Sequence, residues 1–114
     1  MTAGYQDQFL EQGTTFVTTL DLSDENGIPY DLTGFTVKSQ ARSSYTSKKI
    51  VIDFDTTIPE PYVGVVELRA NSAVTANVKT RKLVYDVVLL ENSTGDITKI
   101  LEGQLIVSPS VTRP

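Results

Sequence analysis

Cysteine, histidine and tryptophan are absent from the 114 residues, and the one methionine is Met1. A disulfide, a thiolate or imidazole nucleophile and a Cys/His metal site are therefore excluded by inventory. Long apolar runs are missing too: no segment approaches the ~20 residues of a membrane-crossing helix. The opening residues 1–8 lack the charged and apolar regions of a secretory signal, so the chain is expected to act where it is made or to leave the cell inside something larger. Positive charge is in deficit, with 10 basic against 14 acidic residues and a net charge of −4. That balance argues against broad binding to a phosphate backbone, so neither nucleic acid nor membrane is an expected partner.

What is present is β-branched: 15 Thr, 13 Val and 7 Ile. Such side chains lose rotamer freedom in a helix and fit the pleated surface of a sheet. Alternation places the strands. Over residues 14–22, Phe16, Thr18, Leu20 and Leu22 oppose Thr15, Val17, Thr19 and Asp21. Asp24-Glu25-Asn26-Gly27 follows as a hairpin signal. Over residues 35–42, Phe35, Val37, Ser39 and Ala41 oppose Thr36, Lys38, Gln40 and Arg42. Ile50, Ile52 and Phe54 alternate with Val51, Asp53 and Asp55 as one half-buried strand. Prolines at 59 and 61 lead into a strand over 63–69, where Gly64 marks a bulge or a close backbone approach.

Residues 71–78 are the one helical candidate, a short turn capped by Asn71 or Ser72. A second hairpin, 83–91 and 97–108, closes around Asn92-Ser93-Thr94-Gly95-Asp96. About seven short strands with turns every 8–12 residues read as an all-β sandwich or small barrel. No repeat or linker appears, which gives an N-terminal arm over 1–12 and one domain over 13–114.

The chemical candidates are thin. Asp53 and Asp55, two apart on the predicted strand, would share a face and could hold a hard cation, but no further ligands stand at a fixed spacing. Lys79-Thr80-Arg81-Lys82 and Lys48-Lys49 read as solvated loops. Without a nucleophile elbow, a phosphate loop or a carboxylate pair, the expectation is a protein without enzymatic activity, cofactor or metal.

The anomaly is the last hairpin, apolar on both faces. Leu83, Tyr85, Val87 and Leu89 oppose Val84, Val88 and Leu90, while Leu101, Leu105 and Val107 oppose Ile100 and Ile106. One apolar face suffices for a two-layer sandwich, so the second is expected to be covered by a neighbouring subunit, a loop or the arm. The arm carries Tyr5, Phe9 and Leu10 and is expected to pair along a sheet edge of its own domain or of a neighbour, or else to be a frayed terminus. The predicted contact residues are thus Tyr5, Phe9, Leu10, Val84, Val88, Leu90, Ile100 and Ile106.

From Asp31-Leu32-Thr33-Gly34-Phe35-Thr36 onward the chain resembles a family of small bacteriophage structural proteins. The likeness continues through Gln40-Ala41-Arg42-Ser43-Ser44, Gly64-Val65-Val66-Glu67-Leu68, Leu83-Val84-Tyr85-Asp86-Val87, Glu102-Gly103 and the run from Val107 to Arg113. Upstream, Gln12-Gly13-Thr14-Thr15-Phe16 and the Asp24 to Pro29 turn also fit. The family looks related to the immunoglobulin-like N-terminal modules of phage baseplate upper proteins. The resemblance implies an immunoglobulin-like antiparallel sandwich that acts in the virion, attached to other virion structural proteins in a symmetric homo-oligomeric assembly. Tail, baseplate or neck adaptor is the leading expectation, with capsid decoration as the alternative. Those modules run on into a fibre-forming region, whereas this chain stops at Pro114, which favours a free-standing adaptor or cement subunit. A host-surface or carbohydrate-binding module is the rival class; with no tryptophan, its platforms would be Tyr5, Tyr30, Tyr45 and Tyr62.

Overall fold

A computed structural model describes residues 4–24 and 26–112; the start of the predicted arm, Glu25 of the predicted turn, Arg113 and Pro114 lie outside the described residues. The chain forms β1 (Gly4–Tyr5), β2 (Gln8–Glu11), β3 (Phe16–Asp21), β4 (Phe35–Arg42), β5 (Ile52–Asp53), β6 (Asp55–Thr57) and β7 (Val65–Ala70). The helix α1 (Ser72–Ala76), β8 (Lys82–Glu91) and β9 (Ile97–Ser108) follow. Six strands make one sheet in the order β1-β9-β8-β4-β5, with β2 also on β9, and three make the other in the order β3-β7-β6.

This is an immunoglobulin-type sandwich. Its smaller sheet places β3, β7 and β6 side by side as the B, E and D strands of that fold, and its larger sheet contains the C, F and G neighbours β4, β8 and β9. Two predicted elements each prove to be two strands. The arm is β1 and β2, both parallel to β9, and the predicted strand over 50–55 divides at Phe54. There the chain passes from β5, paired with β4, to β6, paired with β7. Phe54 is buried at the crossing and packs on Phe16, ring centroids 5.6 Å apart.

The core follows the alternation. Phe16 and Leu20 from β3, Val37 and Ala41 from β4, Val66 and Leu68 from β7, and Leu83, Tyr85, Val87 and Leu89 from β8 all point between the sheets. The buried hydroxyls have partners: Ser39 Oγ donates to Asp86 O at 2.6 Å, and Thr75 Oγ1 to Thr14 O at 2.6 Å. The latter ties α1 to the start of β3. Asn71 caps the helix as expected, its Oδ1 accepting from the Val74 N–H at 3.0 Å. In the turn after β3, Asp24 Oδ1 accepts from the N–H groups of Asn26 and Ile28. Gly27 alone has positive φ among the described turn residues, so the loop is closed by the aspartate and is not the two-residue hairpin that Asn-Gly suggested.

Two predicted contact residues belong to the core. Leu10 is 1% exposed and Ile100 6% exposed. Leu10 points inward because β2 continues the sheet with Leu10 opposite Val107. Ile100 points inward because β9 is bulged there: Val87 faces Leu101 while Val88 faces Lys99, leaving Ile100 as the extra residue. The bulge breaks strict alternation, so Ile100 and Leu101 are both buried. Leu10→Ala is accordingly expected to cost about 2–4 kcal/mol by leaving a cavity, while Phe9→Ala, at 72% exposure, leaves stability within about 0.5 kcal/mol. Urea denaturation of both variants measures the contrast.

Candidate interaction surface

The outer face of the larger sheet is built from alternate residues of β4, β8, β9 and the arm. Register aligns them in rows across the strands. Arg42, Val84 and Gln104 form one row; Gln40, Asp86, Glu102 and Tyr5 the next; then Lys38, Val88 and Lys99; then Thr36, Leu90 and Ile97. Phe9 sits opposite Ile106, which sits opposite Lys82. Val84, Val88, Leu90 and Ile106 thus share one half-buried face, and Tyr5 and Phe9 stand exposed at its edge. The apolar residues are not continuous, however: charged and amide side chains separate them row by row. Lys99 Nζ lies 3.1 Å from Glu102 Oε2 and 3.7 Å from Asp86 Oδ2. Glu102 foremost, and Asp86 with it, holds the Lys99 ammonium above the usual lysine range. Such half-exposed pairs are worth at most about 1 kcal/mol; their effect is to punctuate the surface.

The arm is held on this sheet by contacts that strand pairing alone does not supply. Between β1 and β2 the chain breaks step at Gln6 and Asp7. Gln6 donates its N–H to Glu102 O at 2.9 Å, its carbonyl accepts from the Tyr85 hydroxyl, and Asp7 Oδ1 accepts from the Gln104 N–H at 3.0 Å. Tyr85 reaches Gln6 across β9 because the residue opposite it is Gly103. Burial holds the Tyr85 hydroxyl above the usual phenol value, with the Gln8 side chain acting in the opposite direction, so the group remains a donor. Sequence reading did not find this lock; a glycine within an otherwise bulky strand was its one visible trace.

The other candidates separate. Asp53 and Asp55 stand on different sheets, paired with Gln40 and Arg69, so they do not share a face, and no group of three acidic residues able to hold a cation occurs among the described residues. Lys48, Lys49, Lys79 and Arg81 are exposed. Of the tyrosines, Tyr30 packs against the core, and Tyr62 stands out from a 3₁₀ turn over Pro61–Val63. Tyr5 and Tyr45 come nearer than their sequence separation suggests. The Tyr5 hydroxyl is held above its ordinary value chiefly by its hydrogen bond with Asp7, with Tyr45 and Glu102 adding in the same direction. A cavity of about 400 Å³ between α1 and the chain ends is lined by Gln12, Gly13, Ser72, Ala73, Ala76, Ser110 and Thr112, none of them ionisable.

The fold and surface define an immunoglobulin-type sandwich whose distinctive features are a face and its edges. No protein-family model and no curated protein matches the chain. Among the described residues, no helix is long and apolar enough to cross a membrane.

Proposed function

We propose that the chain is a non-enzymatic bacteriophage virion subunit, a tail, baseplate or neck adaptor that works by protein–protein contact within a symmetric assembly. The observation that carries the reading is the outer face of the larger sheet, where Val84, Val88, Leu90 and Ile106 stand half-buried among charged and amide side chains beside the exposed Phe9, with no further strand or helix of the described residues packed over them. The ordered likeness to baseplate modules supplies the virion context.

Val88→Asp and Ile106→Asp are expected to reduce incorporation into particles at least tenfold while the melting temperature of the isolated protein stays within about 3 °C. Particle yield and calorimetry measure the two effects. An isolated variant that unfolds would show the face to be core. Quantitative mass spectrometry of purified particles decides the location: a ratio to the major capsid protein near one indicates capsid decoration, and a small multiple of three or six copies indicates tail, neck or baseplate. Absence from the particle overturns the reading.

A further inference from the structure

The sandwich has several strand edges, and among the described residues all but one are blunted. An unpaired edge offers a row of N–H and C=O groups to any passing chain, so edges are normally kept short, bulged, or guarded by proline or lysine. Here β5 has two residues, and β6 has three before Pro59 and Pro61. The part of β4 beyond β5 is covered by Phe54 N–H and Thr56 Oγ1, bonded to Ser39 O and Val37 O. The arm edge breaks step at Gln6 and Asp7, and the distal part of β9 is bulged at Ile100 beside Lys99. The exception is β3. It runs six residues in unbroken one-to-one register with β7 and, among the described residues, has no other strand partner, although the Thr18 hydroxyl donates to Gln8 Oε1 of the arm at 3.3 Å. Its sequence, Phe-Val-Thr-Thr-Leu-Asp, has high β propensity and neither lysine nor proline.

The hydrogen-bond phase tells which groups are open. Leu22, just past the strand, sends its N–H to Gly64 O on the β7 side at 2.8 Å. Alternation along an unbroken ladder then turns the main-chain groups of Phe16, Thr18 and Leu20 toward β7, and those of Val17, Thr19 and Asp21 toward the open side. Two clefts of about 320 and 330 Å³ run along this seam, between β3 and the arm. Phe9 and Val17, 72% and 47% exposed, flank it.

We propose that β3 pairs antiparallel with β3 of a second copy across a two-fold axis centred on Thr19, joining two three-stranded sheets into one of six. This inference deepens the assembly reading by naming a partner, yet it rests on the edge and not on membership of a virion. The register is self-consistent. Thr19 meets Thr19 of the other copy and Val17 meets Asp21, so all three open residues lie in hydrogen-bonded pairs, giving about six N–H···O bonds. Asp21 is the one charged residue of β3. The two-fold axis sets its two copies at opposite ends of the pairing, roughly 14 Å apart at ~3.4 Å per residue, so no like charges are opposed. A second copy therefore satisfies hydrogen-bond phase, face and charge together.

The chain has no cysteine, which permits a direct test. In a hydrogen-bonded antiparallel pair the two Cα atoms lie ~5.5 Å apart, within disulfide range. Under mild oxidation Thr19→Cys is expected to form a covalent dimer at least tenfold faster than Thr94→Cys, which sits in the exposed β8–β9 turn. Sedimentation of the unmodified protein is expected to show a monomer–dimer equilibrium that is lost in Thr19→Pro and in Val17→Asp, which sets a carboxylate opposite Asp21 of the other copy at both ends of the pairing. The proline removes an outward N–H that β7 does not use, so circular dichroism and melting check that the monomer still folds; Val17→Asp, which leaves the backbone intact and faces Arg69 within its own sheet, keeps the test valid if it does not. A protein that stays monomeric at millimolar concentration, equal cross-linking at positions 19 and 94, or capture of another protein's extended segment at this edge would each overturn the proposal. Incorporation into particles by a strictly monomeric protein would overturn this pairing and leave the virion reading standing.

Discussion

Gly103→Ala is expected to lower stability by roughly 3 kcal/mol, on the order of 10 °C in melting temperature for a domain of this size. A Cβ at position 103 would lie 2.1 Å from Gln6 O and 2.7 Å from Gln6 C, both backbone atoms. Neither can swing aside as a side-chain tip would, so the arm must move off β9. In moving it gives up the Gln6 bonds to Glu102 and Tyr85 and the Asp7 bond to Gln104. Hydrogen exchange should then show the Gln6 and Gln104 amides losing protection while those of β4 and β8 keep it. A variant that melts within about 2 °C of the parent would show that the arm does not pass over Gly103. Tyr85→Phe provides a milder comparison, since it removes one hydrogen bond and no space, for a cost of about 1–2 kcal/mol.

Gly64→Ala is expected to be at least as damaging, at roughly 3–4 kcal/mol. Gly64 ends the 3₁₀ turn with φ of 67°, a left-handed conformation that costs an L-residue ~1–2 kcal/mol. The added Cβ would also meet Leu22 O at 2.4 Å, Tyr30 N at 3.0 Å and Tyr30 O at 3.1 Å. Leu22 and Tyr30 are themselves joined by a backbone hydrogen bond of 3.0 Å, so the glycine lies under a closed backbone crossing with no direction of relief. Equilibrium denaturation measures the loss; a cost below about 1 kcal/mol would show that the crossing opens freely in solution.

These two glycines differ in what the sequence revealed. Gly64 stood out because it followed two prolines and preceded a strongly alternating strand, and the close approach expected there is what the fold contains. Gly103 was noted only as part of the Glu102-Gly103 pair in the family likeness. Its purpose depends on Tyr85 and Gln6, respectively 18 and 97 residues away in the chain, and no local pattern carries that information. Asp53 and Asp55 teach the same lesson in reverse. Alternation put them on one face, but Phe54 carries the chain from one sheet to the other, and residues two apart share a face only while the strand remains in one sheet.

The outer face of the larger sheet was legible in part. Val84, Val88, Leu90 and Ile106 lie together on the outer face because β8 and the upper part of β9 keep strict alternation. Leu10 and Ile100 do not. Leu10 was read as a contact residue because a polar arm gives no sign of which face it will present until it has a partner strand. Ile100 was misplaced because a bulge inserts a residue without altering the apolar count. The open edge of β3 was not visible at all, since a strand's sequence does not say how many neighbours it has.

By itself, the sequence determined the secondary-structure type, the alternating core positions and the capped turn at Ser72–Ala76, because these depend on side-chain shape and on neighbours a few residues away. It also excluded thiol and imidazole chemistry by inventory. Only the tertiary structure decided which strands share a sheet, where the chain changes layer, that the arm locks over Gly103 and that β3 is left with one free side. Each of these depends on contacts between segments far apart in the chain, where a single inserted residue or a change of sheet reverses the face that a local pattern assigns.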